Sequence, residues 1–534
     1  MEEKYSQYHK QIHDIFSRYN TEDILSSLLE LQLFSEVGKK DDIKMQKAEW
    51  LAGNLVKYNI TNSKEIYKFS TFSNIEGVAE EAILSKVVFD AFENIEEKIN
   101  ATDIEKQDYL TSIFMKSKNQ LHRGDGYIKQ LIIFAEKLYS KFDSEFYDEL
   151  GFTYTSCQKL FIYVYQQYYF NLVQLFKEKF KLGYMLKSFI NTIVKKKPLI
   201  NQSIQSGYVF RVYKKDLYDL LGEKEVEAII RELGLNLGDK NIRYKDIGDF
   251  NPLCKKPIIS FEDYIYVPLP ILTLQNLPKI FHYYFIADKR FKAITRAEYK
   301  KHRGDTIEEL AALYLGRLFK QNSLYQSLKY DIDKEADLTV QEEDITVFCE
   351  CKSKVLTLSS LQGNIESIKD DFNKAIGESF NQALRTKRWI NDNKEFMVKQ
   401  PCEDKTSLVL NNTSKKYIVC IVAEHFGWIS SDIKKFLQPD EGDGLLPIVT
   451  NIFDLDIITQ ECANKDEYIS YLQSRLENFD KISSSDELEC FAILKQQHFK
   501  NIDFNADSIS PIGYTYELDK KYTTQDMKWL LDYK

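Results

Sequence analysis

The sequence predicts a multidomain chain: a mostly α-helical N-terminal half, then an α/β core ordered helix, mixed sheet, helix, strand. Three observations carry this. Apolar residues recur at helical spacing through about the first 198 residues. Two patches of strand character, around Asp337 and around Glu350, flank a polar turn from Gln341 to Asp344. A continuous apolar run, Tyr417-Ile-Val-Cys-Ile-Val-Ala423, has the character of a strand covered on both faces.

Length and composition bound the rest. A chain of 534 residues is enough for two to four domains. Its 43% hydrophobic and 13% aromatic content supports sizeable cores, and with only 20 Gly and 10 Pro long disordered linkers are not expected. No apolar run reaches the length of a membrane span, and Met-Glu-Glu-Lys-Tyr is too polar a start for a signal peptide, so a soluble cytoplasmic protein without membrane contact is expected. The formal net charge of −9 argues against a passive nucleic-acid coat. No cysteine spacing matches paired zinc knuckles, and no histidines form an HExxH cluster. No GxxxxGK[ST] loop is present, so any nucleotide dependence requires a partner protein.

Residues 1–198 read as a helical domain, with helical periodicity from Ile24 to Leu29, from Ile128 to Leu138 and from Leu160 to Phe180. The aromatic-dense stretch from Phe161 to Phe170 could stack bases, but a helix this apolar is expected in a core. Residues 199–290 read as a small α+β module: helices from Lys215 to Leu221 and Glu223 to Leu233, then a hairpin from Pro257 to Pro268 turning at Glu262-Asp263. That order suits a winged-helix-like module and equally a small connector. The acids Glu223, Glu225, Glu227 and Glu232 make its second helix a poor surface for a phosphate backbone.

Residues 291–435 carry the chemistry. Asp305-Thr306, after Gly304, can cap a helix from Ile307 to about Lys320. Its first turn holds Glu308 and Glu309, where the helix dipole favours acids in any case. Strands follow near Leu324 to Tyr330, at Asp337 and at Glu350. A long helix from Leu361 to about Ile390 comes next, with the stripe Leu361, Ile365, Ile368, Phe372, Ala375, Ile376, Phe380 and Ala383 and with Gln382 at its border. Residues 436–534 read as an α/β extension packing on this core.

Residues two apart in a strand share a face, so Glu350 and Lys352 point together while Val347, Cys349 and Cys351 point the other way. The two cysteines are therefore expected as buried core residues. With Asp337 on the neighbouring strand, Glu350 and Lys352 form a plausible site for a hard divalent cation and an attacking water. The bland alternative is a surface ion pair worth under about 1 kcal/mol. Basic runs surround this block: Lys289 to Arg296, Lys300-Lys-His-Arg303, Arg385-x-Lys387-Arg388 and, further off, Lys195-Lys-Lys197. Lys300, Lys301, Arg303, Arg385 and Arg388 are candidate phosphate contacts, with a solvated face as the alternative for any one run.

The ordered set Glu308, Asp337, Glu350-x-Lys352 and Gln382, in its order of helix, three strands, helix and strand, resembles the PD-(D/E)xK, or restriction-endonuclease-like, nuclease superfamily over about residues 300–430. The sequence departs from the motif at Ala336, where the name has proline, a position at which many members vary. Glu308 is preferred to Glu309 because Ile307 and Ala311 fit the family's pattern around its helix acid. The resemblance implies Mg²⁺, with Mn²⁺ substituting, held by Asp337, Glu350 and the Cys351 main-chain carbonyl, with Glu308 completing or orienting the shell. It gives Lys352 the attacking water and Gln382 a water or the phosphate. The expected function is a metal-dependent DNA endonuclease, of the kind found in bacterial restriction or anti-phage defence, working as a homodimer and regulated or targeted through its N-terminal half. Alternatives are a catalytically idle fold that binds nucleic acid or scaffolds an assembly, and an RNA-directed effector triggered by a partner.

Overall fold

The computed structural model describes residues 2–35, 43–63, 65, 69–93, 95, 98, 101–122, 124–180, 207–239, 241–331, 334–342, 344–392, 396–400, 403–408, 414–442, 444–500 and 513–533. The Lys195-Lys-Lys197 run lies outside them. The chain divides into two compact units: Met1–Ala101, Asn119–Arg296 and Thr523–Lys534 form the first, and Thr102–Lys118 and Ala297–Tyr522 the second.

The first unit is mostly helical. Its Ile128–Tyr139 helix buries Ile128, Leu131, Ile132, Ala135 and Leu138, the spacing of one helical face. In the Tyr154–Phe180 helix one face of the aromatic-dense stretch is core: Phe161, Tyr165 and Tyr168 are buried, the Tyr168 hydroxyl accepts the Val267 N–H at 2.8 Å, and Phe170 is exposed. The residues expected as a separate module at 199–290 lie in this same unit. They form helices Lys214–Leu221 and Glu223–Leu233 and a mixed sheet of β1 (Val212–Tyr213), β2 (Gly234–Leu235), β3 (Ile258–Ser260) and β4 (Tyr264–Tyr266), in the order β1-β4-β3-β2. The expected hairpin is β3–β4. Glu22, on the Thr21–Ser35 helix, accepts from Arg211, Tyr264 and Tyr266 and ties that helix to the sheet.

The second unit is built on a five-stranded sheet, β11-β10-β7-β6-β5. Its strands are β5 (Leu324–Asp331), β6 (Lys334–Gln341), β7 (Ile345–Lys352), β10 (Lys415–Val422) and β11 (Ile448–Asn451). A separate hairpin, β8 (Phe396–Gln400) with β9 (Glu403–Leu408), lies between β7 and β10 in sequence. β5, β6 and β7 are an antiparallel meander, and β7, β10 and β11 run parallel. β7 is thus the central strand, buried from Ile345 to Cys351, and β10 is buried from Tyr417 onward, as a strand covered on both faces must be. Phe348, Ile418 and Cys420 pack against the predicted stripe Ile368, Phe372, Ala375, Ile376, Phe380 and Ala383.

Three sequence expectations need correction here. The helix expected from Ile307 begins much earlier, as Ala293–Leu315, and runs through Gly304. Thr306 caps nothing: its hydroxyl donates to the His302 carbonyl one turn back. One glycine costs a helix only about 1 kcal/mol, and the buried side chains of Tyr299, Arg303 and Ile307 anchor the turns on either side. The long helix starts at Ile365 rather than Leu361, because Gly363 takes a positive φ and Asn364 caps the Ser367 N–H; Leu361 ends a separate turn, Leu358–Leu361. From 365 to 392 the helix contains a π-turn at Asn373–Gly377. Finally, the helix Asp103–Leu121, expected within the N-terminal helical domain, belongs to the second unit through Lys118. Met115 enters that unit's core, Asp108 pairs with Lys369 at 2.8 Å, and Ser112 donates to the Gly363 carbonyl at 2.6 Å.

Candidate active site

The candidate site forms where the central sheet opens. β6 and β7 pair from Gln341↔Thr346 to Leu338↔Cys349, and the register stops there. Beyond that point β7 keeps only its parallel neighbour, with Glu350 opposite Cys420 and Lys352 opposite Val422. On the open side the Asp337 carboxylate replaces the lost backbone partner, its Oδ2 accepting the Cys351 N–H at 2.8 Å. Glu350 and Lys352 share the face of Phe348, toward the 365–392 helix.

Gln382, on that helix, bridges the cluster. Its Oε1 accepts from Lys352 Nζ at 3.2 Å; its Nε2 donates to the Glu335 carbonyl at 2.9 Å and lies 3.4 Å from Asp337 Oδ1. Lys352 Nζ lies 4.0 Å from Asp337 Oδ2. The odd-numbered face of β7 carries Cys349 and Cys351, both buried, with burial pushing their thiols up.

Electrostatics set this cluster apart from an ordinary ion pair. Glu350 is 0% exposed, and its polar neighbour is Asp337, through both side chain and main chain. Burial, and then the Asp337 charge, hold it well above the usual carboxylate range. Asp337 is raised by burial, against the opposing pull of Lys352 and the Cys351 N–H. Glu308, half-buried on the Ala293–Leu315 helix, is pushed up to about 8 by burial and then by Asp337, Asp305 and Glu335. Glu309, its neighbour, points to solvent. The Asp337 charge thus raises both Glu350 and Glu308, while Lys352 pulls all three acids down.

Such a set suits a hard cation. Among the described residues no three His, Cys, Asp or Glu side chains are gathered as a metal cage. Mg²⁺ does not require one, since it binds through one or two carboxylates and keeps several waters for substrate oxygens. Asp337, the buried Glu350 and the Cys351 carbonyl fit that demand in kind: all are oxygen donors.

The titration of Glu308 gives a checkable consequence. At neutral pH its proton must leave before a cation profits from its charge. Cation affinity is therefore expected to rise as pH climbs through about 8, and Glu308→Gln to flatten the rise. Calorimetric Mn²⁺ titrations at about pH 6.5 and about pH 8.5 measure this. For the metal-free chain the trend runs the other way: the fold holds a proton that the unfolded chain has released, so stability falls between about 4.5 and about 8.

The expected phosphate contacts divide. Lys300, Lys301 and Arg385 are exposed, and Arg388 is exposed while 3.2 Å from Asp440. Lys387 is buried against Asp440 at 2.6 Å. Arg303 is not on the surface at all: it is 5% exposed, and its Nε donates to the Ser353 carbonyl at 2.9 Å. Basic-run counting could not separate it from Lys300 and Lys301, because that requires the phase of a helix whose start was misplaced.

Sequence reading also passed over Asp371. It is fully buried beside Phe372 on the helix stripe, and its Oδ2 accepts from the Thr357 N–H, the Thr357 hydroxyl and the Ser360 hydroxyl, while Lys354 pairs with it at 2.8 Å. An acid inside an apolar stripe was the available signal.

Comparison with protein-family models, with curated proteins and with solved structures finds no match to this chain. Among the described residues no helix is long and apolar enough to cross a membrane.

Proposed function

We propose that the second unit is a metal-dependent phosphodiester hydrolase of the PD-(D/E)xK type, acting on DNA. The observation that carries this reading is Glu350: a fully buried carboxylate set against the acid Asp337 and beside Lys352, at the point where β6 and β7 part. Burying an acid this way is costly unless something completes it, and a divalent cation does.

Asp337, Glu350 and the Cys351 carbonyl would hold the ion, and Glu308 would face it through water. When bound, the ion supplies Lewis-acid polarisation of the phosphate and a more acidic water. The protein's own parts act around it. Lys352 directs its ammonium into the cluster, where it can hold the attacking water and offset charge developing on the phosphate. Gln382 fixes Lys352 through one amide atom and Asp337 through the other, so the donor and the ligand keep a set separation. Exposed Lys300, Lys301 and Arg385 would steer the phosphate backbone toward the opening.

Supercoiled plasmid, linear duplex, single-stranded DNA and RNA, each incubated with Mg²⁺, Mn²⁺ or EDTA, test the proposal. Metal-dependent cutting of DNA is expected. Cutting that persists in EDTA contradicts the metal, and preference for RNA moves the substrate class.

A further inference from the structure

We propose that Arg303 is a positioning residue that fixes the Lys352 end of β7; the inference rests on the nuclease reading for its kinetic consequences, but not for its structural one. Lys352 is the last residue of β7, and a strand end frays unless the segment after it is held. Its own carbonyl takes one bond, from the Ala423 N–H at 3.1 Å. The next carbonyl, Ser353, has no strand to join. Arg303 meets it from the Ala293–Leu315 helix, donating through Nε at 2.9 Å from a position 95% removed from solvent by the 5% exposure of the residue. The buried Tyr299, one turn earlier, lies 3.4 Å from Nη1 and steadies the guanidinium.

The helix that carries Arg303 also carries Glu308, five residues on. This charge-assisted bond therefore links the helix that carries Glu308 to the strand end that carries Lys352. Further along the segment Lys354 is drawn to Asp371, and the Leu356 N–H is bound by Glu424 at 3.0 Å. The segment after Lys352 is thus held from three elements, and Arg303 is the one that ties it to the acidic helix. A lysine would reach the carbonyl with one donor but could not reproduce the planar fork.

The test uses the full chain with Arg303→Gln, Arg303→Lys and, as a surface comparator, Lys301→Gln. Arg303→Gln is expected to slow cleavage at saturating duplex by about a hundredfold, the cost of a small misplacement, with half-saturating DNA unchanged to within about twofold. Arg303→Lys recovers part of the rate. Lys301→Gln does the reverse: it weakens binding and lowers the salt dependence by about one ion. Amide hydrogen exchange supplies a readout free of activity, and peptides covering 350–356 and 421–425 exchange faster in Arg303→Gln.

The proposal is overturned if Arg303→Gln behaves like Lys301→Gln, or if exchange in those peptides is unchanged. Should the glutamine variant fail to fold, Arg303→Lys alone decides, through a lowered rate at unchanged half-saturation with faster local exchange. Should the wild type cut nothing, the nuclease reading falls while exchange still decides the tether.

Discussion

Replacing Glu350 with methionine is expected to make the metal-free chain more stable and to abolish cation binding. The carboxylate is 0% exposed and its polar neighbour Asp337 is itself an acid, so the fold carries a desolvated acid. Methionine has similar length, is unbranched and adapts to irregular space. Replacing buried ionic groups with apolar side chains of similar volume is often neutral or stabilising by about 1–4 kcal/mol. The gain should grow with pH, because wild-type Glu350 is held above the usual carboxylate range and its ionisation penalises the fold as pH rises. Urea denaturation in EDTA measures the difference. Adding Mn²⁺ at about a hundredfold over its dissociation constant should then stabilise the wild type by about 2.7 kcal/mol and leave the variant unmoved. A variant that is less stable in EDTA contradicts the account, since Glu350 would then be serving the fold rather than a ligand.

Lys352→Ala is expected to lower cleavage by about 10²–10³-fold while cation binding persists, the loss typical of one preorganised donor to developing charge. The ammonium lies 4.0 Å from Asp337 and within a hydrogen bond of Gln382, with a quarter of the side chain still open to solvent at 26%. It is therefore poised at the opening rather than sealed inside. Removing it costs little fold stability, because its carboxylate neighbour keeps the Cys351 N–H and Gln382 keeps the Glu335 carbonyl. The ion-pair reading expects under about 1 kcal/mol and no effect on chemistry. Single-turnover cleavage beside Mn²⁺ calorimetry separates the two.

What the sequence disclosed follows from which constraints are periodic. Alternation put Glu350 and Lys352 on one face of a strand, and the structure has them on the face of Phe348. The stripe from Ile368 to Ala383 was legible because a helix against a sheet must repeat every three to four residues. The polar segment from Gln341 to Asp344 was legible as the link between two apolar strands; Gln341 itself ends β6, paired with Thr346, and the Glu342 N–H donates to the Ile345 carbonyl at 3.0 Å.

Other features depend on partners distant in sequence. Nothing in the apolar face of the Asp103–Leu121 helix says which unit it joins, and only the Met115 and Ser112 contacts decide it. Gly304 read as a helix boundary because local propensity was weighed without the buried Tyr299 and Arg303 beside it. That one error also placed Arg303 on the surface among the lysines. The opening of the sheet at Leu338↔Cys349 has no sequence signature at all; it is a product of strand pairing.

Crystals grown with Mn²⁺ and measured for anomalous scattering test the metal centre most directly. The account predicts a single strong peak shared by the Asp337 and Glu350 carboxylates and the Cys351 carbonyl, absent from Glu350→Met crystals grown in the same way. A cluster without a peak, or a peak that survives the loss of Glu350, contradicts it.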